Sequence, residues 1–257
     1  MAGRTVSKHE RAYINGYDLS GYSRSVGEFG VVCDTADLTV WTDTVKGYLT
    51  GQADRVFGPL NVNLDNTATV GAHVLESAAD VYRLVTLAIG DRAAPVAGNP
   101  VFCAEMRKVS YRAMESGGAA VANLAFAQAS EVTSTARQYT NPFGVLLNAN
   151  TARTAANSSS GFGHNATGAT AFGGVFVYHI TAGDGGTATL SVDDSANNSA
   201  FTALSGATSG SITCAAGVYG VVPLSRTATV REYLRWQIAL GTATTVTFVS
   251  AFLRAYA

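Results

Sequence analysis

Four histidines, three cysteines and a thin scatter of carboxylates are the groups in this 257-residue chain that could do chemistry. His9, His73, His164 and His179 stand apart, and none lies at metal-ligand spacing from another His or Cys. His179, in "VFVYHIT", alternates with apolar neighbours as a strand residue does, and His164, in "GFGHNATG", reads as a loop residue. The glycines of "TAGDGGTATL" have no Lys-Ser/Thr behind them and precede a strand pattern rather than a helix, so they predict a hairpin turn and not a phosphate cradle. Asp193 and Asp194 with Asn197 and Asn198 offer oxygen ligands, but the spaced acids of a calcium loop are missing and a solvated turn is the expectation. Three Asn-X-Ser/Thr matches are chance in a chain rich in those residues that opens without a signal-peptide pattern. No catalytic, metal or cofactor residue is therefore predicted, and the chain reads as a protein that is not an enzyme.

The C-terminal "TATVREYLRWQIALGTATTVTFVSAFLRAYA" alternates, turns at Gly241 and alternates again, which predicts a β-hairpin. Arg231, Tyr233 and Arg235 lie in it beside Trp236, with Arg254 near its end. Arg and aromatic residues are enriched at the energetic centres of interfaces, so Arg231, Tyr233 and Arg235 are candidate contacts between subunits. The competing reading is arginines lying over a sheet face with their stems on apolar neighbours.

The elements that would carry these residues fall into two sections. Most charge precedes residue 140, and beyond it Lys is absent while Gly, Ala, Ser, Thr and Asn dominate. The Gly/Ser/Asn-rich stretch 148–174 reads as a linker or long loop, which divides the chain into 1–145 and 146–257. In the first section "RAYINGYDL" predicts a hairpin turning at Asn15-Gly16. "EFGVVCDTADLTVWTD" and "DRVFGPLNVNLDN" read as strands, the second with Val62 and Leu64 on one face. Val70, Val74, Leu75, Ala78, Val81, Tyr82, Val85 and Leu87 approximate a helical stripe that Gly90 would end. A second hairpin turns at Gly117-Gly118. The second section carries strand-sized runs between Gly, Asn and Ser turns, the pattern of a jelly-roll or immunoglobulin-like β-sandwich.

Charged residues make up 14% of the chain, well below the roughly 25% usual in soluble domains, while hydrophobic residues reach 47%. So few charges protect a monomer poorly against association, and self-assembly resolves the difficulty. A net charge of −1 and the lack of a basic run leave no steering toward nucleic acid or an anionic membrane. Cys33, Cys103 and Cys214 are odd in number and far apart, which predicts buried thiols made in a reducing cytoplasm. No apolar run is long enough to cross a bilayer as a helix.

The order of strands, loop, single helix and closing strands, carried by "ERAYINGYDLSGYSRSVG", "DTADLTVWTDTVKGYLTGQADRVFGPLNVNLDN" and "PVFCAEMRKVSYRAMESGGAAVANLAFA", resembles the tail-tube domain of long-tailed bacteriophage tail proteins. The second section, with "FTALSG" and "VREYLRWQIALGTATTVTFVSAFLRAY", resembles β-sandwich modules appended to virion proteins. The resemblance implies a mainly β subunit: a tube-like barrel or sandwich with one α-helix, then an outward-facing β-sandwich. It implies stacked rings of copies, a virion location in the tail, other virion proteins as partners, and double-stranded DNA passing without specific contact. The candidate projection toward the next ring is 39–57, with Trp41, Tyr48 and Leu49 as contact residues, because large apolar groups are costly to leave exposed. Met1 to Arg11 would be a second inter-ring contact. The alternative within a virion is a capsid decoration or head-fibre protein.

Overall fold

The computed structural model describes residues 9–40, 44–45, 48–65, 75, 82–91, 93–116, 118–128, 141–163 and 168–255. The protein is mainly β, with two antiparallel sheets enclosing three apolar layers.

The first layer belongs to the N-terminal half. β1 (Glu10–Ile14), β5 (Tyr82–Ile89) and β6 (Pro100–Ser116) form a wall, and β7 (Ala119–Gln128) carries the sheet from β6 to β4 (Tyr48–Asn63) and β3 (Ser23–Asp37). Ala12, Ile14, Val85, Leu87, Phe102 and Met106 from the wall meet Phe57, Leu60, Val62, Leu124 and Phe126. Phe57 stacks on Phe102 with ring centroids 6.0 Å apart, and Phe126 meets Phe57 edge-on.

The wall has a second buried face. Tyr13, Leu84, Ala88, Val101 and Cys103 alternate with the residues just named, as strand geometry requires. They pack on Val175 and Val177 of β11 (Gly174–Gly183), Val249, Ala251 and Leu253 of β16 (Val246–Arg254), and Leu146 of β8 (Phe143–Arg153). The opposite face of β8, β11 and β16 supplies Leu147, Phe176, Ile180, Phe248 and Phe252 to the third layer. That layer is closed by the five-stranded sheet of β12 (Thr187–Ser195), β13 (Thr202–Thr213), β15 (Tyr233–Leu240) and two short strands, β9 (Asn157–Ser158) and β10 (Phe162–Gly163). β14 (Val218–Pro223) edges the larger sheet beside β11. The C-terminal half is thus a β-sandwich.

The two halves share this middle layer and one continuous sheet. β6 pairs with β8 at Pro100↔Val145, so the expected boundary at 145/146 falls inside a strand. The Asn15-Gly16 turn between β1 and β2 (Tyr17–Asp18) is a further tie. Both residues have positive φ, 48° and 81°, as a tight hairpin demands. A Cβ on Gly16 would lie 2.5 Å from the Val218 carbonyl oxygen, and Gly217 N–H donates to the Gly16 carbonyl. Asn150 Nδ2 donates to Asp18 Oδ2 at 2.8 Å across the same seam.

Three expectations are corrected. Tyr82–Ile89, read as the end of a helix, is strand β5. Its residues are buried on both faces, so the apolar run is nearly continuous and a strand cannot be told from a helix by period. Among the described residues there is no α-helix, and 66–74 and 76–81 lie outside them. The C-terminal hairpin is the second correction. β15 and β16 belong to different sheets and face each other across the third layer, Trp236 meeting Phe248 edge-on at 5.4 Å. The glycine turn at 183–187, read as a hairpin, likewise crosses between sheets from β11 to β12. Asp184 holds these two crossings together, accepting from Thr244 N–H at 2.6 Å and from the Thr244 hydroxyl. These hydrogen bonds hold the Asp184 carboxyl well below its usual range. The third correction is Cys33, which is exposed while Cys103 and Cys214 are buried.

Candidate functional site

Cys33 is exposed because its strand leaves the body of the protein. β4 pairs with β7 only from Leu60 to Asn63, and β3 pairs with β4 alone. From Val31↔Arg55 to Asp37↔Tyr48 the two strands form a free β-hairpin, here called the arm. Seven residues at about 3.4 Å each make it roughly 24 Å long. β3 mixes partly buried and exposed residues to Gly30 and is exposed throughout from Val31 to Asp37, so among the described residues no layer covers this strand of the arm. Val31, Val32, Leu38, Val40, Val45 and Leu49 are all exposed, Val32 at 54%, Leu49 at 59% and Val45 at 78%. A lone two-stranded hairpin is marginal in water, and exposed apolar surface of this kind is uncommon on a monomer. Asp34, Asp37 and Asp54 stand beside these residues, and the one described cation of the arm, Arg55, is half-buried at its root, which leaves the exposed part of the described arm acidic.

Of the arm residues expected to make contacts, Leu49 is exposed and lies opposite Ala36. Tyr48 opens β4 opposite Asp37. Trp41 lies outside the described residues, as do His73, His164 and residues 1–8 of the N-terminal arm.

Arg231, Tyr233 and Arg235 lie far along the chain, at the five-stranded sheet. β15 points Leu234, Trp236 and Ile238 inward, leaving Tyr233, Arg235 and Gln237 on the outer face. Arg235 donates through Nε and an Nη to Asp193 Oδ2 at 2.9 and 2.8 Å, its cross-strand neighbour, and stacks over Phe201 at 4.5 Å. Gln237 donates to the same carboxylate. Arg231 donates its backbone N–H to Asp194 Oδ2 at 2.9 Å and an Nη to Thr202 Oγ1. Asp193 and Asp194 are thus buried strand residues held by arginines, which corrects the expectation of a solvated turn. Their placement was legible only with the register, which sets Asp193 opposite Arg235. Arg254 is fully buried and donates to the carbonyls of Val230, Arg231 and Glu232, locking the last strand onto the segment that enters β15.

Of the two described histidines, His179 is the one whose side chain sits at a junction of elements. Its Nδ1 accepts from Gly16 N–H at 3.0 Å, which leaves the proton on Nε2, facing Thr86 Oγ1 at 2.8 Å. The Thr86 hydroxyl donates in turn to Cys103 Sγ at 3.4 Å. Burial holds the imidazole neutral, with its pKa lowered to about 3, and pushes the Cys103 thiol up to about 12. Both shifts oppose nucleophilic chemistry, which needs thiolate and a base near neutrality. The chain of three groups staples the two halves together. Among the described residues no three His, Cys, Asp or Glu side chains gather to hold a metal ion, and no helix is long and apolar enough to cross a membrane.

No family model and no curated relative matches the sequence. Among solved structures, the chain is similar to the SPP1 Dit (gp 19.1) protein, whose crystal structure is titled a paradigm of the hub adsorption apparatus in Gram-positive infecting phages. Identity is 11% over 94% of this chain and 98% of that one, with a TM-score of 0.30, a level that carries no argument about function.

Proposed function

We propose that this protein is a structural component of a phage virion that works by assembling with copies of itself, and that the assembly is the stacked-ring tail tube through which the genome passes. The observation that carries the reading is the β3–β4 arm, a long hairpin with exposed valines and leucines and, among the described residues, no layer over β3 from Val31 to Asp37. The low charge content and the sequence resemblance to tail-tube domains point the same way. On this reading the copies and other virion proteins are the partners, DNA slides past without specific contact, and no catalysis or cofactor is involved. The C-terminal sandwich faces outward. A capsid decoration or head-fibre protein would use the same arm on a different particle.

The test removes the arm without touching the layer beneath it. Val31 and Arg55 are cross-strand partners, and Arg55 sits beside Leu84, Cys103 and Glu105, so replacing 32–54 by Asn-Gly keeps that root and closes the hairpin with a two-residue turn. The shortened chain is expected to melt as the full chain does and to stay monomeric, while the full chain forms rings or tubes by sedimentation and negative-stain microscopy. A full chain that remains monomeric at every concentration and joins no virion particle overturns the proposal. Attachment to capsids alone selects the decoration role.

A further inference from the structure

We infer that the arm of one copy docks on the outer face of β6 and β7 in the next copy, where Val32 and Asp54 of the arm meet Met114 and Arg112. The inference rests on the assembly reading above and names the surface that receives the arm. Val32 and Asp54 are direct cross-strand partners, so they share one face of the arm, one apolar and one acidic. Arg112 and Met114 are two residues apart on β6 and therefore share a face as well. That face is the outer one, since Tyr111 packs toward the first apolar layer. Both residues are exposed, Met114 at 46%, while Val121, directly opposite Met114 on β7, is buried, so the exposed part of this face is the β6 side. Val109, at a bulge just before them, is 60% exposed. From Val109 to Ser116, β6 pairs with β7 alone among the described residues. This end of the sheet therefore offers a cation, exposed apolar side chains and a strand edge together.

The chain's own arm points away from this surface. Arg112 is level with Asn123, and Asn123 with Asn61 of β4. Asp54 lies seven residues from Asn61 toward the arm tip, roughly 24 Å along the strand. Donor and acceptor thus stand at opposite ends of one sheet. Two acidic arms repel each other, which disfavours a symmetric arm-to-arm dimer. A contact between unlike ends is head-to-tail, and it propagates into a ring or a filament.

The experiment uses two full-length variants. Arg112→Glu sets an anion against an acidic arm, and Asp34→Lys/Asp54→Lys sets a basic arm against Arg112. Each variant alone is expected to associate about tenfold more weakly than the natural chain at low salt, the difference narrowing as salt rises. An equimolar mixture is expected to recover assembly, because every arm then finds an acceptor of opposite charge. Circular dichroism melts of both variants confirm that the fold is kept. Assembly of Arg112→Glu alone at the natural level overturns the assigned surface, as does a mixture that fails to recover. In either case loss of assembly on arm deletion still upholds the assembly reading, whereas a natural chain that never associates removes both.

Discussion

The staple at His179 makes a prediction whose size follows from the geometry. The unfolded chain titrates this imidazole near 6.5, and the folded chain holds it neutral down to about 3. A folded-state pKa below the unfolded one means that the unfolded state binds the proton first. The stability contributed by the neutral ring is therefore complete above pH 6.5 and drains away as pH falls toward 3. Each pH unit well inside that window costs about 1.4 kcal/mol, so the step from pH 6.5 to 4.5 removes on the order of 2 kcal/mol through this residue. The perturbation is His179→Gln. Gln does not titrate, keeps a donor for Thr86 and leaves the buried Gly16 N–H without its acceptor, which costs about 1–3 kcal/mol at neutral pH. The assay is urea denaturation of both chains at half-unit steps between pH 7.5 and 4.5. The other histidines and the carboxylates are common to both chains and cancel in the difference. The natural chain is expected to be the more stable at pH 7.5 and to lose its advantage by about pH 5. Two stability curves that run parallel across the window would show that the imidazole is not held neutral by the fold, and the staple as described would be wrong.

Other perturbations test the remaining parts. Gly16→Ala, at φ +81° and facing the Val218 carbonyl, should cost more than about 1 kcal/mol in a thermal melt. Asp193→Ala, which strips the acceptor from Arg235 and Gln237, should cost roughly 1–3 kcal/mol by denaturant titration, with the far-ultraviolet spectrum unchanged. A fragment starting at Thr151 lacks Val145 and Leu147 of the third layer, and it should melt well below one starting at Pro142, since each such side chain contributes about 1.5–3 kcal/mol when buried. A maleimide dye should label Cys33 alone in the dissociated chain under native conditions, and labelling should slow on assembly. Equal labelling of Cys103 or Cys214 would contradict their burial.

Local signals in the sequence identified the strands well and their partners poorly. Asn15-Gly16 and Gly117-Gly118 mark hairpins because each turn needs backbone that those residues adopt easily, and the strands on either side pair with each other. Gly241 carries a similar signal, yet the strands around it part into separate sheets. Alternation is the same for two strands side by side and for two strands facing across a core, so Trp236 and Phe248 read alike in either arrangement. The segment Tyr82–Ile89 was obscured for a related reason: buried on both faces, it lost the alternation that marks a strand. The arm was legible in part, because Tyr48 and Leu49 are large groups among polar residues. Its length was not, since where β4 leaves β7 is decided by a register between distant segments.

The distribution of charge separates the arm from the rest of the surface more sharply than the composition does. In the second half, Asp193 and Asp194 are bound to Arg235 and Arg231, Arg254 is buried against carbonyls, and Asp184 ties two loops together. These charges orient the chain's own segments. On the arm, Asp34 and Asp54 are exposed and stand among exposed valines. Apolar area supplies affinity in an association, and nearby charge supplies orientation and rate. A hairpin built to complete its own core has no use for the second ingredient, because the covalent chain already fixes its orientation. On the assembly reading proposed above, the pairing of Val32 with Asp54 on one face would give an incoming copy both ingredients at once.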